Sequence, residues 1–494
     1  MSRALLGALA AVAALVAVPR GPDPATQAVR DGCPRDYSAE IQRQAPTWVY
    51  VGDAATSPAG PPPPPRWAHG VVDSFTPKFV SVAPTPEDVP TIHDSYDFNF
   101  DLRLDTADRG LLGGDPVRKT GNFAGPEPET GRLHVEREQL TLPQFAWPEI
   151  GDRVTLDGSW IWDCGHWLPG GERTEFHSYR AIFVRREPSP RSPRGENEGD
   201  LFVTSRKTFA GIEEDCAHRT RGDSAAYPAC LRSEPDWQDV TATYRFSLPA
   251  PPRPSAHSGL RWRVVDRGTT RGAVRLAVTP SARGVRIEAV VSNPRLVQAR
   301  VAKAILVGWS RPPRVRPVHL RIRFERLLVR RAMDPGCPPD RPTCSTPETT
   351  HKTQNSTAPG EWNVYWDAAG IWSMWSPRLL HVFDGQVVRG RQSVDLYLPP
   401  RRPWRLLVFA RECDFLALGN ASDPRGRVAP CPAGNEVGTL QGDDESGFVV
   451  QRFRLPAAVI GVHRADSLPV ETSCPRVNRH GCYAVTYRVD RVRG

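Results

Sequence analysis

Proline constrains this chain more than any other residue: 51 of its 494 residues are Pro and another 40 are Gly. Pro lacks the N–H that a helix interior needs, and Gly carries excess backbone freedom. Long helices are therefore interrupted almost everywhere, while turns are well supplied. Between these breaks the apolar residues fall in short runs. Residues 96–102 read Tyr-Asp-Phe-Asn-Phe-Asp-Leu, a period of two that puts the apolar side chains on one face of a strand. No alternation of strand and helix patterns appears, which argues against a parallel α/β sheet. The expected class is mainly β, built from antiparallel sheets of barrel or sandwich type.

The length suits two or three domains. Residues 1–19 read as a signal peptide, with Arg3 as the positive end, an apolar run from Leu5 to Val18 and small-residue cleavage geometry at Leu15-Val16-Ala17. That run is shorter than the ~20 residues of a membrane-spanning helix. The expected location is secreted, periplasmic or cell-envelope, with no transmembrane segment once the signal is removed. A Pro-rich leader follows over 20–66, with five consecutive prolines from Pro61 to Pro65 that suit a solvated polyproline II spacer. Strand patterns then define a barrel-like unit over 67–186. A polar linker and a disulfide-bearing loop are expected over 187–239, and a sandwich unit over 240–494. Within the latter, Trp362 to Trp366, the turn from Asp367 to Gly370, and Ile371 to Trp375 read as a hairpin.

Ten cysteines behind an export signal imply disulfides. Proximity in sequence suggests Cys216–Cys230, Cys337–Cys344, Cys413–Cys431 and Cys474–Cys482, which leaves Cys33 with Cys164. None forms a CxxC, and this argues against a thiolate zinc site. The formal charge of +9 is carried almost wholly by arginine interspersed with acids. Residues 311–331 are the exception, with Glu325 as their only acid, but there the arginines alternate with apolar residues as on a strand with one wet face. The charge is not gathered into the patch a nucleic-acid binder needs.

One segment concentrates polar chemistry. Trp160-Ile161-Trp162-Asp163-Cys164-Gly165-His166-Trp167 runs through a Gly-rich loop into Glu172-Arg173-Thr174-Glu175-Phe176-His177. As a hairpin, it puts Glu175 and His177 on one face and brings Asp163 near them, with His166 at the tip. Asp163, His166, Glu175 and His177 supply two nitrogens and two oxygens, a set suited to zinc or manganese. The same four groups also suit a hydrogen-bonded brace of the hairpin. The chain carries no G-x-S-x-G elbow, no H-E-x-x-H and no phosphate-cradling Gly loop.

The run from Gly158 to Trp167, with the return from Glu172 to His177, resembles a motif of uncharacterised bacterial secreted β-rich proteins. Those end in Glu-Ile-His-Pro, where this chain has Phe176 and Ser178. The strand–loop–strand pattern is similar to part of an OB-like barrel, and the half from about Val240 resembles a C2-type β-sandwich. The C2 resemblance implies calcium on loop aspartates, for which Asp414, Asp443 and Asp444 are available, although the family's loop motif is not matched. Three functions follow as expectations. The first is a non-catalytic secreted or envelope protein that binds an unknown extracellular ligand. The second is a metal-dependent hydrolase centred on Asp163, His166, Glu175 and His177. The third is an OB-type oligonucleotide binder, which export disfavours.

Overall fold

The computed structural model describes residues 48–51, 63–74, 100–124, 130–137, 142–163, 173–220, 226–235, 237–293, 298–332, 360–376, 380–412, 445–468 and 481–492. The chain is mainly β, as its Pro and Gly content requires. It opens with β1 (Trp48–Tyr50), β2 (Arg66–Ser74), β3 (Phe100–Leu104), β4 (Leu133–Val135), β5 (Arg153–Asp163) and β6 (Arg173–Arg186). Five of these close on themselves in the order β5-β2-β3-β4-β6, with β6 pairing back onto β5. All pairings in this ring are antiparallel except that of β4 with β6, which is parallel. The result is the OB-like barrel, a closed sheet with no free edge in the ring.

The alternation read from the sequence explains the two faces of this sheet. Phe100, Leu102, Leu133, Val135 and Phe176 are buried in the main apolar core. Asp101, His134, Glu175 and His177 occupy the intervening positions and so face the other way. β5 bends where its register on β6 shifts between Asp157 and Ser159. Gly158 sits at that irregularity because a Cβ there would lie 2.6 Å from the Tyr179 Cα.

β6 outlasts the barrel. Its C-terminal half pairs with β7 (Asn197–Thr204), and the sheet continues through two later strands. After β7 come helices α1 (Phe209–Thr220) and α2 (Tyr227–Ser233), then β8 (Ala242–Pro249), β9 (Leu260–Asp266), β10 (Ala273–Ser281), β11 (Gly284–Ser292) and β12 (Arg300–Trp309). β12 lies between β7 and β9, so the sheet's order is β1-β5-β2-β3-β4-β6-β7-β12-β9. The three-stranded sheet β10-β11-β8 packs across it through Phe183, Val203, Phe246, Ile287 and Val307.

This corrects the expectation of a linker and loop over 187–239. All eight residues of β7 are buried. Its Glu198 and Asp200 look solvated in the sequence, but Arg186, Arg191 and Arg267 converge on them from elsewhere in the chain. Phe209–Thr220 and Tyr227–Ser233 are helical, not loop. The sheet also carries the first unit past residue 240, through β9 and β12.

The C-terminal sandwich comprises β13 (Val318–Val329), β14 (Gly360–Ala368), β15 (Ile371–Met374), β16 (Leu380–Val382), β17 (Val387–Arg389), β18 (Ser393–Leu398), β19 (Trp404–Glu412), β20 (Glu445–Phe453), β21 (Gly461–Asp466) and β22 (Tyr483–Arg491). One sheet runs β17-β13-β22-β21 with β18 also on β13; the other runs β15-β14-β19-β20 with β16 also on β14. On β13 the arginines read from sequence alternate as expected: Arg321 and Arg323 are exposed, while Leu320, Ile322 and Phe324 are buried. β14 and β15 form the expected hairpin, with Ala369 and Gly370 at φ 55° and 89° and the Asp367 carboxylate accepting the Gly370 N–H at 2.8 Å. β14 is buried on both faces. Trp366 meets Phe324 of the opposite sheet, and Tyr365 meets Trp147 from the segment before β5.

That segment joins the barrel to the sandwich through buried charge. Arg186 donates to Asp200 and to the Trp147 carbonyl, and Arg405 of β19 pairs with Glu149. Asp152 lies beside Arg186 at 3.5 Å and accepts the Glu149 N–H. Burial pushes its carboxyl up to about 6, against the pull of Arg186. The folded value exceeds the unfolded one of about 4. Asp152 therefore contributes its stability fully below about pH 4 and loses it as the pH rises through 6. In Asp152→Asn, stability relative to the parent should rise by up to about 3 kcal/mol between pH 4 and 7.5. Urea unfolding at the two pH values measures this, and parallel pH dependence in both proteins would contradict it.

Candidate functional site

The parallel pairing of β4 with β6 sets His134 opposite Glu175 and Val135 opposite Phe176. Two short motifs then lie side by side, His134-Val135-Glu136 and Glu175-Phe176-His177. In each, the outer residues are two apart and share a face, so two imidazoles and two carboxylates meet on the face of the sheet away from the apolar core. Glu136 is fixed just past the end of β4 by its N–H, which donates to the Phe176 carbonyl at 2.9 Å. Asp101 of β3 stands opposite His134 on the same face.

These groups are buried: His134 is 4% exposed, Glu175 1%, and Glu136 and His177 0%. The Nδ1 of His134 lies 3.0 Å from an Asp101 oxygen, and the Nδ1 of His177 lies 3.0 Å from Glu214 Oε1 on α1. Facing an acceptor-only carboxylate, each Nδ1 carries the proton, and the ring is held in one orientation with Nε2 turned to the other side. Both Nε2 atoms are turned to Glu136. His177 Nε2 is 3.4 Å from Oε1, and His134 Nε2 is 3.8 Å from Oε2. Among the described residues neither Glu136 oxygen has a hydrogen-bond partner, although both are fully buried.

Charge in the pocket is dominated by carboxylates. Burial and the Arg173 guanidinium work against a cationic His134, yet Glu175 and Asp101 raise its pKa to about 9. Burial lifts Glu175 to about 7, against Arg173, and raises Glu214 against its bond to His177. A setting that forces a proton onto a buried imidazole is one that favours a cation in that place.

A cap covers the site. α1 packs over β1 and β6, bringing Glu214 down onto His177. The Tyr50 hydroxyl of β1 donates to Asp215 at 2.9 Å, and the Tyr50 ring meets His218 edge-on at 5.9 Å. Lys207 pairs with both Asp215 and Glu234, and the Cys216–Cys230 disulfide ties α1 to α2. Among the described residues, the trio of His, Cys, Asp or Glu ligand atoms lying within 4.8 Å of one another is Cys216, Cys230 and Glu234. Its two sulfurs are spent on the disulfide, so it holds no ion.

Of the four residues singled out from sequence, Glu175 and His177 share the predicted face of β6 and sit in the cluster. Asp163 is buried at the end of β5, opposite Arg173 in register, with its Oδ2 3.9 Å from the Arg173 Nε. His166 lies outside the described residues, as do Asp414, Asp443 and Asp444 and every cysteine except Cys216, Cys230 and Cys482. Cys482 is disulfide-bonded. The sequence reading missed His134, Glu136, Asp101 and Glu214. The signal for the first two was present as the inverted pair His-x-Glu and Glu-x-His, each with strand spacing. Glu214 carried no signal, because it arrives on a helix.

No family model matches the chain, and no curated protein does. Solved structures similar to it include human GIVD cytosolic phospholipase A2, at 7% identity and a TM-score of 0.17, covering 86% of this chain and 32% of that one. A structure of extended-synaptotagmin 2, comprising its SMP domain and a pair of C2 domains, is similar at 8% identity and a TM-score of 0.18, covering 80% of this chain and 85% of that one. This chain thus spans about a third of the phospholipase chain. At such scores the site is read from its own geometry alone. Among the described residues no helix is long and apolar enough to cross a membrane.

A buried carboxylate with no hydrogen bond costs stability unless a cation compensates it. In chelator-treated protein, Glu136→Gln should therefore be more stable than the parent by about 1–3 kcal/mol. Urea unfolding in EDTA reads the difference, and a clearly destabilised variant would mean that Glu136 already has its partner.

Proposed function

We propose that this is a secreted, non-catalytic β protein that holds a divalent ion of the zinc class between its barrel and helix α1. The ligands are Nε2 of His134, Nε2 of His177 and the Glu136 carboxylate, with Glu175, which is ion-paired with Arg173, available as a fourth donor through its other oxygen. The observation that carries this reading is Glu136, whose two buried oxygens make no hydrogen bond while one imidazole faces each of them. The separations of 3.4 and 3.8 Å run to the two different Glu136 oxygens, and the donors of this set do not all lie within 4.8 Å of one another, so an ion would draw them inward onto itself. With bonds near 2.0–2.1 Å, ligand atoms on a tetrahedral zinc stand about 3.3 Å apart. The outer partners fit too, since metal-bound imidazoles usually donate their second N–H to a carboxylate, the place Asp101 and Glu214 take here. Manganese suits the same nitrogen and oxygen donors. The burial of all four donors supports a structural ion. Export is supported by the apolar N-terminal segment and by the Cys216–Cys230 bridge.

A second reading, a metal-dependent hydrolase, rests on one feature. Two imidazoles and one carboxylate are three protein donors, the number that leaves a position for water, and Glu175 stands beside them.

Elemental analysis of protein purified with zinc should give about one ion per chain. Glu136→Gln and His177→Ala should lose it, and Asp101→Asn and Glu214→Gln should bind it some 10–100-fold more weakly. A metal-free parent protein under these conditions rules out the metal reading. Ester or phosphoester hydrolysis by the zinc-loaded protein, abolished in Glu136→Gln, would replace the structural ion with the hydrolase.

A further inference from the structure

A second site lies in the cleft between the segment before β5 and the end of the β19–β20 pair. Its volume is about 560 Å³, within the range of ~300–1,000 Å³ usual for small-molecule pockets. Five arginines line it against two carboxylates, Glu149 and Asp152. Both acids are already engaged, Glu149 by Arg405 and Asp152 by Arg186. The three outer arginines differ from these inner two. Among the described residues Arg402 donates to the neutral carbonyls of Glu187 and Pro188 and acts on Asp152 only through its charge, and Arg452 and Arg454 are exposed with no carboxylate partner.

Strand register makes this concentration of charge costly. Arg452 stands directly opposite Arg405 across the β19–β20 pair; Arg405 has Glu149 and Asp367 beside it, whereas Arg452 has no carboxylate among the described residues, so an anion at Arg452 would relieve the like-charge contact. The next pair along is Trp404 with Phe453, their rings stacked at 4.4 Å, and both line the cleft. Trp404 is only 6% exposed, and among the described residues its indole N–H meets no acceptor. Buried indole N–H groups ordinarily find one. The cleft thus joins a guanidinium rim, an apolar aromatic and proline wall, and an unused buried donor.

We propose that this cleft binds an amphipathic organic anion. Its phosphate or carboxylate head would be held by Arg402, Arg452 and Arg454, and its apolar body would lie against Trp404, Phe453 and Pro188. Guanidinium forks match the oxygen pairs of such heads, and the stacked rings give the body a rigid wall. The three arginines face one small cleft, not a broad surface, so the occupant is a single molecule. The site is separate from the His134–Glu136–His177 cluster and independent of its reading.

Dodecyl phosphate below its micellar concentration is the probe, titrated calorimetrically into the full chain. One molecule should bind per chain, while inorganic phosphate and the neutral dodecyl maltoside bind at least about tenfold more weakly, because each lacks half of the recognised chemistry. The double variant Arg452→Gln, Arg454→Gln changes two exposed side chains and should keep the circular dichroism and metal content of the parent. Its affinity for dodecyl phosphate should fall by about tenfold or more. Unchanged affinity in that variant, or equal binding of dodecyl maltoside, overturns the proposal. Retention on anionic vesicles without binding of soluble dodecyl phosphate also overturns it, in favour of a membrane-surface contact.

Discussion

The structure turns on one short parallel pairing. His134 and Val135 of β4 lie beside Glu175 and Phe176 of β6, and this contact closes the barrel. Parallel neighbours cannot be joined by a tight turn, and here the whole of β5 intervenes. Without that contact the strands would form an open sheet with two unprotected edges. With it, the apolar positions of both strands enter one core, and the polar positions are gathered on the opposite face. Barrel closure and assembly of the buried cluster are thus a single event.

What happens next on that polar face depends on α1. An exposed face bearing histidines and carboxylates would simply be hydrated. The helix excludes water from it, held down by Tyr50, Lys207 and the Cys216–Cys230 bridge. Once dry, the carboxylates raise one another's protonation and that of His134, and each needs a fixed donor. Asp101 and Glu214 take the Nδ1 protons, so both Nε2 atoms face Glu136.

Buried charge is also how this molecule joins its parts. Arg186 reaches Asp200 in β7 and the Trp147 carbonyl in the segment before β5, while Arg405 of the sandwich reaches Glu149 in that same segment. Trp147 packs between Tyr365 and Trp372 at the same seam. An arginine-rich chain with little lysine suits this use, because planar guanidinium forks satisfy several acceptors at once.

Local chemistry was legible in the sequence wherever the fold is local. The Pro and Gly content, the period-two runs and the Asp367–Gly370 turn determined a mainly β chain, its hairpin and the wet and dry faces of β13, because strand alternation and turn conformation depend on neighbours along the chain. The shared face of Glu175 and His177 followed in the same way. Residues 187–239 misled because a run of acids reads as solvated until the arginines that neutralise it are known, and those come from as far away as Arg267. Only the tertiary structure decided that His134 and Glu136 belong with His177, that Glu214 covers them, and that Arg452 faces Arg405. Each of these is a contact between segments whose separation in sequence says nothing of their distance in space, set by barrel closure, helix docking and sheet register.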